Sequence, residues 1–309
     1  MINRFTCLCL AAGLLILIVS SSCSSAPKKP NAVYTERNMA SSQLDLANAA
    51  ANHGRYEDAL MILEDARRLA VSVDDPPLLI RTSIAYGNLL FALGRQNEAF
   101  GHWEAAVAEA ESSGDRELAA LARIYTARGR IMLIGNSGTV NNAEEIRDEV
   151  NGLISVFRSD MQAQAAGYLV LGMAEKELER YAEAERAVRR ALDFYEKNLY
   201  LEDAAYGWFF LASVFSVNSR YDDALSALHT AIDFDRRAEN GFGLASSWQA
   251  IGEVYRKKSA IAPNTGVVSG AGADRNNAVR AFLRAAEIYR AIGLDEAAQN
   301  AEAKAAAIN

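Results

Sequence analysis

The stretch that decides the fold runs from Ala205 to Arg236 and reads AYGWFFLASVFSVNSRYDDALSALHTAIDFDR. Its first half predicts a helix, because apolar and small residues recur at helical spacing on one face: Trp208, Leu211, Ala212 and Phe215. Ser219-Arg220-Tyr221 predicts a tight turn. The carboxylates of Asp222 and Asp223 then stand where a helix N-terminus favours negative charge. A second helix follows, with an inward stripe of Ala224, Leu228 and Ala231.

The same pattern recurs along most of the chain, in six copies. We align them on the alanine that opens each second helix: Ala59, Ala99, Ala143, Ala184, Ala224 and Ala278. Two independent columns then emerge. Where the two helices should touch stand Ala47, Gly87, Ile131, Gly172, Ala212 and Gly252, and seven residues after the alignment alanine stand Ala66, Ala106, Val150, Ala191, Ala231 and Ala285. Helix axes approach to about 8–10 Å only where such side chains are small. A helical glycine costs roughly 1 kcal/mol relative to alanine, so close packing is the reason we expect for these glycines.

The turn between the paired helices also repeats, as Gly54-Arg55-Tyr56, Gly94-Arg95-Gln96, Glu179-Arg180-Tyr181 and Ser219-Arg220-Tyr221. Trp, Leu, a small residue and Tyr/Phe, followed by Ala, Leu/Phe and Ala, is the pattern of tetratricopeptide (TPR) repeats, and the chain resembles that family. The alignment alanines lie 40–44 residues apart, with 54 between Ala224 and Ala278. This spacing resembles the long-helix TPR variants of kinesin light chains and some bacterial regulators.

The resemblance implies an all-α fold, a right-handed α-solenoid of about six TPR-like helix pairs plus a C-terminal capping helix. We predict a signal peptide at 1–22, a polar tether at 23–38, and a solenoid at 39–309, with repeats near 40–73, 80–113, 116–158, 165–198, 205–238 and 245–292 and a cap at 294–309. The third copy has the weakest pattern, with an inserted turn at 135–140. A Gly-rich stretch at 259–274 interrupts the sixth copy, either as a tolerated flexible insertion or as a lid or docking loop.

The N-terminal segment resembles a bacterial lipoprotein signal, with Arg4 in the positive region, an apolar core and Cys23 as the lipidated residue. Ser20 departs from the motif, which prefers Leu there. The alternatives are an ordinary secretory signal and an uncleaved anchor, but an apolar run of about 12 residues is short for a ~30 Å membrane core. With cysteine only at positions 7, 9 and 23, the mature domain has no disulfide and no cysteine metal site. We expect a lipid-anchored protein of the bacterial cell envelope, and Ser24 after the cysteine favours the outer membrane in a Gram-negative host.

The composition argues against nucleic acid as a partner, because the net charge is −7 and no basic cluster extends beyond Lys257-Lys258. The three histidines fall in three different repeats without a second ligand at metal spacing. The Gly-rich stretch lacks the Lys-Ser/Thr of a phosphate-binding loop. The sequence therefore predicts no enzyme activity, no cofactor and no metal site.

In TPR proteins the first helices line a concave groove, and certain positions on them face the ligand. Carried over to this sequence, the resemblance implies a partner-binding groove formed by Asn48, Arg81, Ile84, Asn88, Tyr206, Phe209, Ser213, Gln249 and Glu253, with Leu44, Leu169 and Met173 at further groove positions. Asn48 and Asn88 share one column, where an amide can pair with an extended peptide backbone, although both could merely be solvated. Tyr206 and Phe209 form either an apolar contact patch or a packing surface for the next helix.

The leading functional prediction is a membrane-tethered scaffold for protein–protein interactions in the envelope, since TPR lipoproteins of this size serve assemblies such as outer-membrane protein insertion or pilus biogenesis. The alternative is a transporter-associated TPR lipoprotein that docks a solute-binding protein or holds a small apolar ligand. The sequence identifies no particular partner and leaves the oligomeric state open.

Overall fold

The computed structural model describes residues 35–137, 141–261 and 268–308. Within these ranges the chain forms thirteen helices and no strand. They are α1 (Thr35–Asn52), α2 (Tyr56–Ser72), α3 (Pro76–Ala92), α4 (Gln96–Ser113), α5 (Arg116–Ser137), α6 (Asn141–Ile154), α7 (Met161–Glu177), α8 (Tyr181–Lys197), α9 (Leu201–Val217), α10 (Tyr221–Arg237), α11 (Gly241–Ile261), α12 (Val268–Ala291) and α13 (Asp295–Ala306). Consecutive helices pack as six antiparallel pairs, and α13 packs on α12 at the C-terminal end. The predicted fold class, an α-solenoid of TPR-like helix pairs with a terminal helix, is confirmed.

The repeated turn has a backbone reason. Its first residue adopts a left-handed conformation, with φ of 73° at Gly54, 76° at Gly94, 59° at Glu179 and 60° at Ser219. In each case the next N–H, that of the turn arginine, reaches back to a carbonyl in the last turn of the preceding helix, as from Arg220 to Phe215 at 2.8 Å. This bond satisfies an otherwise orphaned carbonyl. The turn ends the first helix and starts the second with only a few residues.

The small-residue columns lie at the helix crossings, where the sequence places them. A Cβ added at Gly87 would collide with the Trp103 ring, and one added at Gly172 would lie 2.6 Å from Val188. The second column is sealed completely: Ala66, Ala106, Val150, Ala191, Ala231 and Ala285 are each 0 % exposed. The paired helices therefore approach until these positions have no space for a larger side chain.

Several sequence expectations differ from the structure. Trp208, assigned to the inward face, is only partly buried, and its Nε1 donates to Glu196 Oε1 of α8 at 2.6 Å. Gly207 lies at the crossing of α9 with α8 instead, where an added Cβ would lie 2.7 Å from Leu192. The helix pairs that begin at Pro76, Met161, Leu201 and Gly241 start four residues before their predicted bounds, whereas the third pair begins at Arg116, its predicted bound.

Helix also covers part of both predicted interruptions. Helix α5 continues to Ser137 through the first half of the predicted inserted turn, and residues 138–140 lie outside the described residues. In the Gly-rich stretch, α11 continues to Ile261 and α12 begins at Val268, so helix covers much of what was expected to be a loop. Residues 262–267 are not described. Cys23 and the signal and most of the tether likewise lie outside the described residues. No described helix is both long enough and apolar enough to cross a membrane.

The two ends of the solenoid meet, and this contact determines the shape of the concave face. The Tyr56 ring stands edge-on to Phe242, with ring centroids 6.3 Å apart. A Cβ at Gly54 would lie 3.1 Å from Leu294, and one at Gly241 would lie 3.9 Å from the carbonyl oxygen of Asn52. Because the first helix pair contacts the last one, the inner helices surround a central cavity.

Candidate functional site

The central cavity is the candidate site, and all six first helices contribute to its wall. It has two adjoining lobes of about 370 Å3 and about 430 Å3. The first lobe is lined mainly by α1, α3, α5 and α7, and the second by α5, α7, α9 and α11. The residues common to both lobes are Asn52, Asn88, Tyr125, Ala166, Tyr195, Asp203 and Phe242. Each lobe falls within the usual size range of ligand sites.

The first lobe presents side-chain amides and one ion pair. Asn48 and Asn88 line it, and neither side chain makes a hydrogen bond to any described residue. Arg81 also faces this lobe, but its Nη2 lies 3.2 Å from Asp160 Oδ2, so its charge is compensated within the protein. Ile84, 5 % exposed, supplies apolar surface beside it. The free donors and acceptors of the two amides match those of a peptide backbone.

The loop that carries Asp160 is held in place from α5. Glu117 accepts backbone hydrogen bonds from Arg158 at 2.7 Å and from Asp160 at 3.0 Å. These bonds to the ionised carboxylate lower the pKa of Glu117 to about 2. Asp160 in turn caps α7 by accepting from the Ala163 N–H at 2.9 Å. The Asp160 carboxylate is therefore positioned by two structural contacts when it meets Arg81.

The second lobe is aromatic and contains an arginine with unsatisfied hydrogen-bonding capacity. Arg128 lies over the Tyr206 ring, with Cζ 4.9 Å from the centroid. Its Nε is shut off from solvent and has no hydrogen-bond partner among the described residues. The Ser247 hydroxyl in the same lobe is likewise buried without a partner. Burial raises the pKa of the phenols of Tyr125 and Tyr195, so both stay neutral at physiological pH.

Two aspartates on the wall are held away from water. Burial raises the pKa of Asp203, although a hydrogen bond from Gln162 opposes the shift. Burial also raises the pKa of Asp235 to about 7, while a 2.8 Å hydrogen bond from Asn240 Nδ2 works in the other direction. Asp235 is therefore divided between its neutral and charged forms near neutral pH. No group of three or more metal-ligating side chains occurs in the described part of the chain.

The sequence-predicted groove residues divide into two sets. Asn48, Arg81, Ile84 and Asn88 line the first lobe with Leu44, while Tyr206 and Phe209 line the second with Leu169; Asn88 reaches both. Tyr206 and Phe209 are also partly buried against the core, while their role as a contact patch stays a prediction. The other predictions lie elsewhere on the protein: the Ser213 hydroxyl donates to the Phe210 carbonyl, Glu253 pairs with Arg256 and Lys304, and Gln249 and Met173 line neither lobe.

Sequence reasoning missed the third repeat and the second-helix residues of the wall. Arg128 and Tyr125 lie on α5, and no groove positions were assigned there because that copy lacks the Trp/Leu/Gly signature. Tyr195 and Asp235 reach the cavity from the C-terminal ends of second helices, which a rule based on first helices does not include. Asp203 lies one turn before Tyr206 on α9, so helical spacing could have found it.

No protein-family model matches the sequence, and no curated protein shows significant similarity to it. Solved structures with stacked helix pairs do match. A Rap protein in complex with competence and sporulation factor has a TM-score of 0.46 and 17% identity, over 88% of this chain and 77% of that chain. A tetratricopeptide repeat protein from Parabacteroides merdae has a TM-score of 0.38 and 17% identity, over 88% of this chain and 94% of that chain.

A putative kinesin light chain from Podosopora anserina with TPR-like repeats also matches, with a TM-score of 0.39 and 17% identity, over 66% of this chain and 97% of that chain. At these identities the likeness is one of repeat architecture.

Proposed function

We propose that this protein is a lipid-tethered scaffold of the bacterial envelope that captures a short extended segment of a partner protein in its central cavity. The observation that carries the proposal is the wall of the cavity, where unpaired amides, aromatic rings and charged groups converge from all six repeats. Asn48 and Asn88 offer both donors and acceptors without partners of their own in the described structure. A bound backbone would satisfy them, while a purely apolar ligand would not.

The shape of the cavity determines what kind of segment can bind. The contact of Tyr56 with Phe242 closes the ring, so a folded domain cannot lie along the concave face. An extended strand of a few residues fits lobes of about 370 and 430 Å3, with its side chains against Tyr206 and Phe209. In this mode the protein binds a terminus or a flexible loop of the partner, and its convex surface stays free for other contacts.

The closed cavity also favours a second candidate, a transporter-associated lipoprotein that holds a small ligand. The observation for it is the partial enclosure itself, since lobes of this size bury a small molecule as readily as a peptide. The unpaired amides distinguish the two, because an apolar ligand leaves Asn48 and Asn88 unsatisfied. We therefore place the peptide-binding function first.

Site-specific photocrosslinking in intact cells tests the proposal. A benzoylphenylalanine replacing Phe209 reports on the second lobe, and the same probe replacing Leu283, which is 44% exposed and lines no lobe, serves as the matched control. We expect a discrete protein adduct from the cavity position whose crosslinked peptide maps to one short segment of the partner. Adducts from the Leu283 position alone would contradict binding in the cavity. A small-molecule adduct at Phe209 would favour the second candidate.

A further inference from the structure

We propose that Arg128 is the anchor for a carboxylate carried by the bound segment, which makes the second lobe an anion-recognition site. The inference rests on the proposed peptide-binding function and specifies one chemical group of the ligand. Arg128 projects from α5 into the lobe between Tyr125 and Tyr206. Its Nε is buried, and no acceptor among the described residues satisfies it.

The internal contacts of Arg128 are with Tyr206, Tyr125 and, at longer range, the carboxyl group of Asp203, and they leave its Nε without an acceptor among the described residues. The guanidinium stays charged at any physiological pH and carries five N–H donors in a fixed plane. None of the ion pairs among the described residues includes Arg128, and the Tyr206 ring at 4.9 Å compensates its charge only partly. Arg81 in the first lobe gives the contrast, since Asp160 lies 3.2 Å from it. Of the two arginines that line the lobes among the described residues, Arg128 is the one whose Nε is buried without a hydrogen-bond partner.

The charges around the lobe indicate which anion fits. Arg128 shares the lobe with the carboxyl groups of Glu202, Asp203 and Asp235. A dianionic phosphate would meet repulsion from these groups, whereas a single carboxylate forms a two-point contact with the guanidinium fork at smaller electrostatic cost. The unpartnered hydroxyl of Ser247, which is 1 % exposed, adds a neutral donor to the same lobe. The chemistry therefore matches one carboxylate, flanked by apolar and aromatic surface.

A peptide can present that carboxylate in two ways, at its C-terminus or on an Asp or Glu side chain. Affinity selection with three synthetic random hexapeptide libraries separates them, with bound peptides identified by mass spectrometry. The first library has free C-termini and no Asp or Glu, the second has amidated C-termini and includes both acids, and the third is amidated and contains neither acid. Inorganic phosphate serves as a separate competitor.

We expect selection from the first or the second library, and the one that yields binders identifies the source. Arg128→Gln should weaken the selected peptides by between about tenfold and about a hundredfold, the range for losing a hydrogen bond to a charged group. Arg128→Lys, which keeps the charge, should restore part of the affinity. The matched control is Arg123→Gln, on the same helix but exposed and paired with Glu111. Thermal unfolding of each variant shows that the fold is intact.

The outcomes separate this inference from the function on which it rests. Peptides selected equally well from the third library, with affinity unchanged by Arg128→Gln, would overturn the carboxylate anchor and leave peptide binding standing. Effective competition by phosphate that depends on Arg128 would overturn the choice of carboxylate. If no library yields a peptide whose binding weakens on Asn88→Ala or Phe209→Ala, the cavity does not bind peptides and both proposals fail.

Discussion

Replacing each of two tryptophans by alanine should separate the buried interior of the solenoid from its surface. Trp103 is 2 % exposed and lies between three helices, with the backbones of Gly87 and Gly129 directly against its ring and Phe100 edge-on at a centroid distance of 5.2 Å. Its Nε1 donates to the Ile84 carbonyl at 3.4 Å. Trp208 is only partly buried, and its indole N–H reaches an exposed glutamate, Glu196.

The expected magnitudes follow from these environments. A buried tryptophan removes about 200 Å2 from water, which at about 25 cal/mol per Å2 corresponds to ~5 kcal/mol. Trp103→Ala loses most of this area and leaves a cavity between three helices, so we expect about 5 kcal/mol, the upper end of the range for truncating a buried tryptophan. Trp208→Ala loses roughly half of that area and one solvent-exposed hydrogen bond, so we expect about 2–3 kcal/mol.

The assay is urea denaturation followed by far-UV circular dichroism, because fluorescence would itself change with loss of a tryptophan. The comparison uses the same residue type in both variants, which removes differences in composition and spectral baseline. Since most contacts of a repeat are with its neighbours, Trp103→Ala should also broaden the transition as the first repeats unfold separately. If Trp208→Ala destabilises the protein as much as Trp103→Ala does, the burial assigned to these two side chains is wrong.

Three further predictions test packing, anchoring and a buried acid. Gly87→Ala should destabilise because its Cβ meets the Trp103 ring, whereas Gly101→Ala, which meets no atom within 4 Å on the surface of α4, should stabilise by up to about 1 kcal/mol in the same denaturation assay. Cys23→Ser should release the protein from membranes in cell fractionation, and an unmodified N-terminus on the wild-type protein in mass spectrometry would refute the lipid anchor. Since the folded pKa of Asp235, about 7, lies above its unfolded value near 3.8, its contribution to stability is complete below about pH 4 and is lost as the pH rises through 7. Asp235→Asn should remove that part of the pH dependence, ~4 kcal/mol at most, and identical pH profiles for the two proteins would exclude the shift.

The helix pairs could be predicted because their determinants are local. A helix crossing requires a small residue at one place in each repeat, and that requirement reappears every 40 residues or so as a visible column. Ala231 and Gly172 illustrate it: the alanine is fully buried, and the glycine lies against Val188. The turn column is equally local, since a left-handed residue followed by an arginine N–H closes four of the first helices, namely α1, α3, α7 and α9.

Which individual side chains of a helix are buried was less predictable than the repeat positions at which the helices pack. Adjacent helical residues point about 100° apart, so an error of one position exchanges buried and partly exposed sites. On α9 the sequence favours Trp208 for the interior because it is large and apolar. The structure places Gly207 at the crossing with Leu192 and Trp208 beside Glu196, since a small residue permits the helices to approach more closely.

The cavity wall was predicted only where the repeats keep their signature. Asn48, Asn88, Tyr206 and Phe209 face the cavity because their repeats carry the pattern from which the positions were counted. Arg128 belongs to the third repeat, where the pattern is weak, so nothing in the sequence distinguished it from the other arginines of the chain. What distinguishes Arg128 is that the surrounding helices bury its Nε without giving it a hydrogen-bond partner among the described residues.

Closure of the ring could not be read from the sequence at all. Each helix pair is rotated slightly against its neighbour, and the rotations accumulate over the solenoid. A difference of a few degrees per pair decides whether the first and last pairs touch or pass each other. No single position of the repeat determines this total rotation. The contact itself is small, formed by Tyr56 and Phe242 with Gly54 against Leu294, and Phe242 remains 40% exposed. Gly54 and Tyr56 belong to the turn that recurs in other copies, where the same positions make no such contact, so the repeat pattern does not distinguish them. The enclosure that most restricts the choice of ligand therefore comes from contacts between distant repeats, which a pattern of local positions does not predict.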